Sequence, residues 1–153
     1  MSIKVTKMQG CGNDFVILDY DEYKKIDLSM SELAKKLCDR HFGIGADGLI
    51  MICKSDIADF KMRMFNADGS EAEMCGNGIR CFARYVYEAG HVKSEEFTVE
   101  TGAGILVPKM IKDGQGHIAM VQVDMGEPIL EGDKIPVSGY GMNRVVKEQL
   151  IVE

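Results

Sequence analysis

One window of this chain, Gly76 to Glu88, switches from strand-like patterning to helical spacing. Ile79, Phe82, Ala83, Val86 and Tyr87 recur on one face there, and Gly90 stands where a C-terminal cap belongs. A helix with an apolar stripe has to bury it, so the short strand-like runs on either side must supply the surface it packs on.

Those runs are readable from their periodicity. Ile3 to Met8 alternates apolar and polar residues, Phe15 to Leu18 is a continuous apolar run, and the glycine-bearing turn QGCGND between them predicts a hairpin. Ser29 followed by Glu32 makes a capping box, after which Met30, Leu33, Ala34, Leu37 and Cys38 share a helical face that ends near Asp39 to Phe42. Leu49 to Cys53 and Asp59 to Phe65 predict further strands, followed by the turn NADGS. Beyond Gly90, strands are expected at Phe97 to Thr101, Gly104 to Ile111 and His117 to Met125. The expected fold is α+β: one domain over residues 1–153, mostly antiparallel β-sheet wrapped around a central helix, with two helices in all and no linker or repeat.

Composition narrows what such a domain does. The net charge of −6 and the lack of any Lys/Arg stripe argue against a nucleic acid partner. No apolar run approaches the roughly 20 residues that span a bilayer, and the N-terminus lacks the apolar core of a signal peptide, so no membrane partner and a cytoplasmic location are expected. The five cysteines, at 11, 38, 53, 75 and 81, are an odd number and read as reduced thiols. Neither they nor His41, His91 and His117 fall at a metal-ligand spacing, so no metal is expected.

The helix start is where chemistry concentrates. Cys75, Gly76, Asn77 and Gly78 occupy it, and the first N–H groups of a helix have no partner inside it. Two glycines in a first turn each cost about 1 kcal/mol of propensity relative to alanine. A bare backbone at 76 and 78 would let an anion such as a carboxylate reach the free amides and the positive end of the dipole. The same location stabilises a thiolate, with cysteines at helix starts reaching roughly 3.5 to 7.5 rather than about 8.5. Cys75 is therefore either a reactive base or an ordinary packed thiol. Cys81, two turns in, reads as a packed apolar residue.

The run MRMFNADGSEAEMCGNGIRCFARYV, with KMQGCGNDFVILD and RHFGIGADGL upstream in matching order and spacing, resembles the diaminopimelate epimerase family over essentially the whole chain. The resemblance implies inversion of an α-carbon between LL- and meso-diaminopimelate without pyridoxal or any other cofactor, in the synthesis of lysine and cell-wall precursors. One cysteine thiolate removes the α-proton and a second cysteine thiol delivers one to the opposite face. Carried onto this chain, Cys75 is the first catalytic cysteine. Gly76 and Asn77 supply amides to the substrate carboxylate, and Asn13 and Asn66 hydrogen-bond the substrate. Asn13 and Asn66 also read as ordinary turn asparagines.

The family's second catalytic cysteine belongs to a second, pseudo-symmetric half that this sequence does not contain. The chain is thus expected to be the N-terminal half, nearly inactive by itself, with diaminopimelate and the C-terminal half or a second copy of the chain as partners. Gly48 stands where some family members carry a substrate-contacting glutamine and is assigned no role. Gly43, Gly45 and Gly48 satisfy G-x-G-x-x-G, but the run follows a helix and precedes a strand, the reverse of a dinucleotide site. Cys11, in a second CGN triplet, opens a strand and reads as a turn residue, and the methionines read as core filler. Two other readings stay open: a non-catalytic, self-associating domain, and another isomerase of the same fold such as a proline racemase or a phenazine-biosynthesis-type isomerase. Against the latter, Asn77 follows the Cys-Gly pair where proline racemases usually have histidine.

Overall fold

A computed structural model describes residues 2–135 and 137–149. Strands β1 (Thr6–Gly10) and β2 (Asn13–Asp19) form the expected antiparallel hairpin, with Gly10 opposite Asn13. Cys11 and Gly12 close it with φ of 53° and 90°, and positive φ at both central residues matches the right-handed twist of the flanking strands.

A one-turn helix α1 (Tyr20–Tyr23) follows β2 and corrects the expectation of two helices. Four residues are too few for apolar periodicity to register. Helix α2 (Met30–Cys38) opens with the capping box read from the sequence: the Glu32 N–H donates to Ser29 Oγ at 3.2 Å and the Ser29 N–H to Glu32 Oε2 at 3.0 Å. It crosses over to β3 (Gly48–Cys53), which runs parallel to β2. Strand β4 (Phe60–Asn66) returns antiparallel to β3, and the short β5 (Glu71–Ala72) pairs with it.

Helix α3 (Gly76–Glu88) has the bounds that the sequence predicts. Gly90, at φ 79°, ends it with its N–H on Tyr87 O. Strand β6 (Val99–Thr101) then runs parallel to β4, and β7 (Gly104–Leu106) turns back on β6. The expected single strand from Gly104 to Ile111 is broken at Pro108, which has no N–H for a ladder. Its second part, β8 (Lys109–Lys112), pairs instead with β9 (Ile118–Gln122) in a separate two-stranded sheet. The main sheet has the order β1-β2-β3-β4-β6-β7, and it is mixed, with parallel neighbours at β2/β3 and β4/β6.

The continuous apolar runs of β2 and β3 are explained by burial on both faces. Phe15, Ile17, Ile50 and Ile52 point to one side, where they pack with Ile79, Phe82, Ala83 and Val86 of α3. Val16, Leu18, Leu49 and Met51 point to the other, against Leu33, Ala34 and Cys38 of α2. Each fully buried Phe, Leu or Ile contributes about 1.5–3 kcal/mol, and this two-sided core holds the start of α3 against one end of the sheet.

Candidate active site

Register places the site. Across the ladders Gly10 faces Asn13, Phe15 faces Gly48, and Gly48 faces Asn66, so Asn13, Gly48 and Asn66 lie at the same end of three strands. Helix α3 begins at that end, and the Asn77 amide donates from Nδ2 to Asn13 Oδ1 at 2.8 Å.

Cys75 is itself the N-cap residue of α3, with extended backbone (φ −146°, ψ 112°), and its sulfur accepts from the Gly78 N–H at 3.3 Å. A thiol there takes the part usually played by a serine or aspartate oxygen. The Ile79 N–H goes to Cys75 O, whereas the N–H groups of Gly76 and Asn77 have no acceptor among the described residues. Two free amides therefore sit beside a half-buried sulfur at the positive end of a three-turn helix, which is an arrangement suited to a carboxylate.

The two glycines differ. A Cβ on Gly76 would make only ordinary van der Waals contact, with Arg80 Nη1 and Met125 Cε at 3.8 Å and Met125 Sδ at 4.0 Å. A Cβ on Gly78 would press on Cys75 Cβ at 3.2 Å, Cys75 Sγ at 3.3 Å and Ile50 Cδ1 at 3.3 Å. Gly78 thus makes room for the sulfur and the sheet, whereas a small group beside Gly76 meets only the ends of two long side chains.

A chain of polar contacts runs from the helix start into the loop before β3. The Arg80 guanidinium donates to Asn77 Oδ1, Asn77 to Asn13 Oδ1, and Asn13 Nδ2 to Asp47 Oδ2 at 2.9 Å. Arg40 then holds Asp47 and Asp14 together from Nη2, at 2.8 Å to each, and Lys7 adds a contact to Asp14 at 3.1 Å. The Arg40 guanidinium, with help from Lys7, keeps the Asp14 carboxyl well below the usual carboxylate range. The hydrogen bond from Asn13, followed by the Asp14 N–H, lowers Asp47 in the same direction. Both remain ionised acceptors.

The structure therefore gathers Asn13, Cys75, Gly76 and Asn77 into one group. Asn66 lies at the same end of the sheet, but its amide donates to Ser70 Oγ at 2.9 Å and serves the turn. At Gly48 a Cβ would stand 2.8 Å from Phe65 O, which accounts for glycine there by close strand packing. Gly43 belongs to the α2–β3 loop, where a Cβ would collide with Lys36 O at 2.2 Å.

The other cysteines separate by burial. Cys81 is packed in the core, as the sequence predicts, and burial raises its thiol and that of Cys53; burial pushes Cys38 up to about 11. Cys11 occupies the hairpin turn, exposed, and Arg80 Nη2 reaches its sulfur at 3.5 Å. Most buried methionines fill core, but Met125 lies over Gly76 while half exposed. Arg80, Asp47 and Met125 carry no signal in the sequence pattern alone, apart from the helical spacing that puts Arg80 one turn after Gly76.

A cavity of about 470 Å³ lies at the other end of the sheet, at the C-terminal ends of β2 and β3, lined among others by Asp19, Cys53, Lys54 and His91. Among the described residues no group of three His, Cys, Asp or Glu side chains is placed to hold a metal, and no helix is long and apolar enough to cross a membrane.

Known proteins resemble this chain in fold and in sequence. Among solved structures, a phenazine biosynthesis protein of the PhzF family from Bacillus anthracis is similar over 76% of this chain and 38% of its own, with 26% identity and a TM-score of 0.59. A probable proline racemase from Agrobacterium radiobacter K84 matches 81% of the chain and 42% of its own at 18% identity, with a TM-score of 0.64, and shares the fold. In sequence, the diaminopimelate epimerase of Caldanaerobacter subterraneus subsp. tengcongensis is 58% identical over 88% of this chain and 47% of its own length. That of Methanococcus maripaludis is 53% identical over 88% and 48%, and that of Alkaliphilus metalliredigens 46% identical over 100% and 53%. The chain thus spans about half the length of the curated relatives it matches. The family model described as diaminopimelate epimerase matches residues 5–131, and the chain belongs to that family.

Proposed function

We propose that this chain supplies one half of the active site of a diaminopimelate epimerase, in which Cys75 exchanges the α-proton of the substrate. The observation that carries this is the Cys75 N-cap, with its sulfur on the Gly78 N–H and the Gly76 and Asn77 amides free beside it. As a thiolate, Cys75 takes the α-proton, and the electron pair left on the carbon spreads into the α-carboxylate. The two amides stabilise the developing charge on its oxygens. Asn13, and Asn66 at the same sheet end, contact the rest of the substrate. No cofactor takes part.

Inversion requires a second acid on the opposite face, because a single thiol returns the proton to the side it came from. Among the described residues Cys38 and Cys81 are buried in the core, Cys53 lies half-buried at the opposite end of the sheet, and Cys11 is the exposed turn residue of the β1–β2 hairpin. The second cysteine therefore comes from a complementary half or from a second copy of the chain. The reaction belongs to cytoplasmic lysine and cell-wall precursor synthesis.

The test is incubation of LL-diaminopimelate with the chain in deuterated water, followed by NMR and chiral chromatography. The chain alone should give little or no meso product, and adding the C-terminal half of a relative should restore deuterium exchange and inversion that Cys75→Ser abolishes. Inversion by the chain alone at the rate of a full-length relative overturns the half-site reading. A restored activity indifferent to Cys75→Ser overturns the role of Cys75.

A further inference from the structure

The position of Arg80 is electrostatically odd. A cation is disfavoured at a helix N-terminus, where the dipole is already positive, yet the Arg80 side chain folds back one turn toward that end. Its Nη1 donates to Gly76 O at 2.8 Å and its Nη2 to Asn77 Oδ1. Its third contact is the Cys11 sulfur, and no Asp or Glu among the described residues pairs with it. The guanidinium has five N–H donors, and these three contacts leave its charge uncompensated beside the free Gly76 and Asn77 amides.

The contact to Asn77 also has a direction. Arg80 can only donate and ionised Asp47 can only accept, so Asn77 must turn its oxygen to Arg80 and Asn13 its nitrogen to Asp47. The bond between the asparagines then runs from Asn77 Nδ2 to Asn13 Oδ1, as observed. Arg80 thereby fixes both amides as well as the charge.

We propose that Arg80 is a positioning residue that gives the Cys75 site its preference for carboxylate-bearing molecules over neutral ones. It does so by holding the Asn77 amide through its oxygen and by keeping a standing positive charge at the helix start. The inference rests on the reading of Cys75 as a reactive thiol beside a carboxylate site.

The experiment compares alkylation of Cys75 by anionic iodoacetate and neutral iodoacetamide, each normalised to a small free thiol, with rates resolved by peptide mass spectrometry. It needs no turnover and no second half. The iodoacetate-to-iodoacetamide ratio should fall about threefold or more in Arg80→Met and Arg80→Gln, the size expected of one charge several ångströms away in water, and should fall with added salt in the wild type. Arg80→Lys should stay near the wild-type ratio. Arg80→Gln keeps a donor for Asn77, so it carries the measurement if Arg80→Met fails to fold by circular dichroism. An unchanged ratio in the neutral variants, or equal slowing of both reagents, overturns the proposal. A Cys75 that reacts no faster than in the unfolded chain overturns the reactive-thiol reading instead, while the ratio across variants still reports the charge.

Discussion

The Asn77 side chain donates to Asn13 across 64 residues of sequence, tying the first turn of α3 to the β1–β2 hairpin. Asn13 passes its own Nδ2 donor to Asp47, whose carboxylate also accepts the Asp14 N–H at 3.1 Å. Asparagine is therefore required at 13 by its neighbours, independently of any substrate.

Asn13→Asp should expose that requirement. It sets a carboxylate against Asp47 in place of a donor, and should destabilise the chain by about 1–2 kcal/mol at neutral pH. The new carboxyl has a folded-state pKa raised by its neighbour, so the deficit is present at neutral pH and shrinks as pH falls through that raised value. Urea unfolding at pH 7 and pH 5 checks this, with a deficit that does not shrink counting against it.

The hairpin, the capping box of α2 and the bounds of α3 were legible because each rests on local signals within a few residues. The parallel pairing of β2 with β3 was not, although the α2 crossover between them is the connection such pairing needs. What escaped altogether is through-space chemistry: no periodicity brings Asp47 to Asn13, or Met125 to Gly76. Both first-turn glycines of α3 looked alike as sequence, and only packing separates Gly78, which makes room for the sulfur, from Gly76.

That separation predicts opposite outcomes for one added methyl group. Gly78→Ala gains up to about 1 kcal/mol of helix propensity but overpacks against Cys75 and Ile50 at a cost of about 1–3 kcal/mol. It should lower stability and slow alkylation of Cys75. Gly76→Ala meets nothing closer than 3.8 Å and should fold at least as well as the wild type. Thermal melts of the two variants should move apart, and a Gly78→Ala protein as stable as Gly76→Ala contradicts the packing account.

Acid should undo the Asp14 cluster. Its carboxyl is held below the ordinary range by Arg40 and Lys7, so its stabilisation is complete above the unfolded-state value near 4 and is lost as pH falls toward the lowered folded value. Asp14→Asn should cost about 1 kcal/mol at pH 7, allowing for the half-exposed Arg40 partner. The gap between variant and wild type should close below pH 4, as read from urea midpoints across pH.

The five thiols should label in the order of their exposure. Cys11 is exposed and Cys75 half-buried at the helix start, while burial raises the thiols of Cys38, Cys53 and Cys81. At pH 8 a small alkylating reagent should modify Cys11 and Cys75 in the native chain, Cys53 more slowly from the cavity that it lines, and Cys38 and Cys81 only in denaturant. Native labelling of Cys81 at the rate of Cys75 contradicts the packing of α3 on the sheet.

The α2–β3 loop separates a side chain that does nothing for stability from a backbone on which stability depends. Phe42 is 95% exposed, while the chain around it is pinned by Asp39 Oδ1, which accepts the His41 and Phe42 N–H groups at 2.7 Å each. Gly43 then passes so close to Lys36 O that no side chain fits without moving the end of α2. Phe42→Ala should leave the urea midpoint within about 0.5 kcal/mol of the wild type, as surface changes do. Phe82→Ala, in the core against α3, should cost about 3–5 kcal/mol. Gly43→Ala should be costly although the site is at the surface, because the clash is with backbone. Because this loop also carries Asp47, Gly43→Ala should loosen Asn13 as well. A Gly43→Ala chain of wild-type stability with an unshifted Asn13 side-chain amide signal in NMR contradicts the close packing of Gly43 on the end of α2.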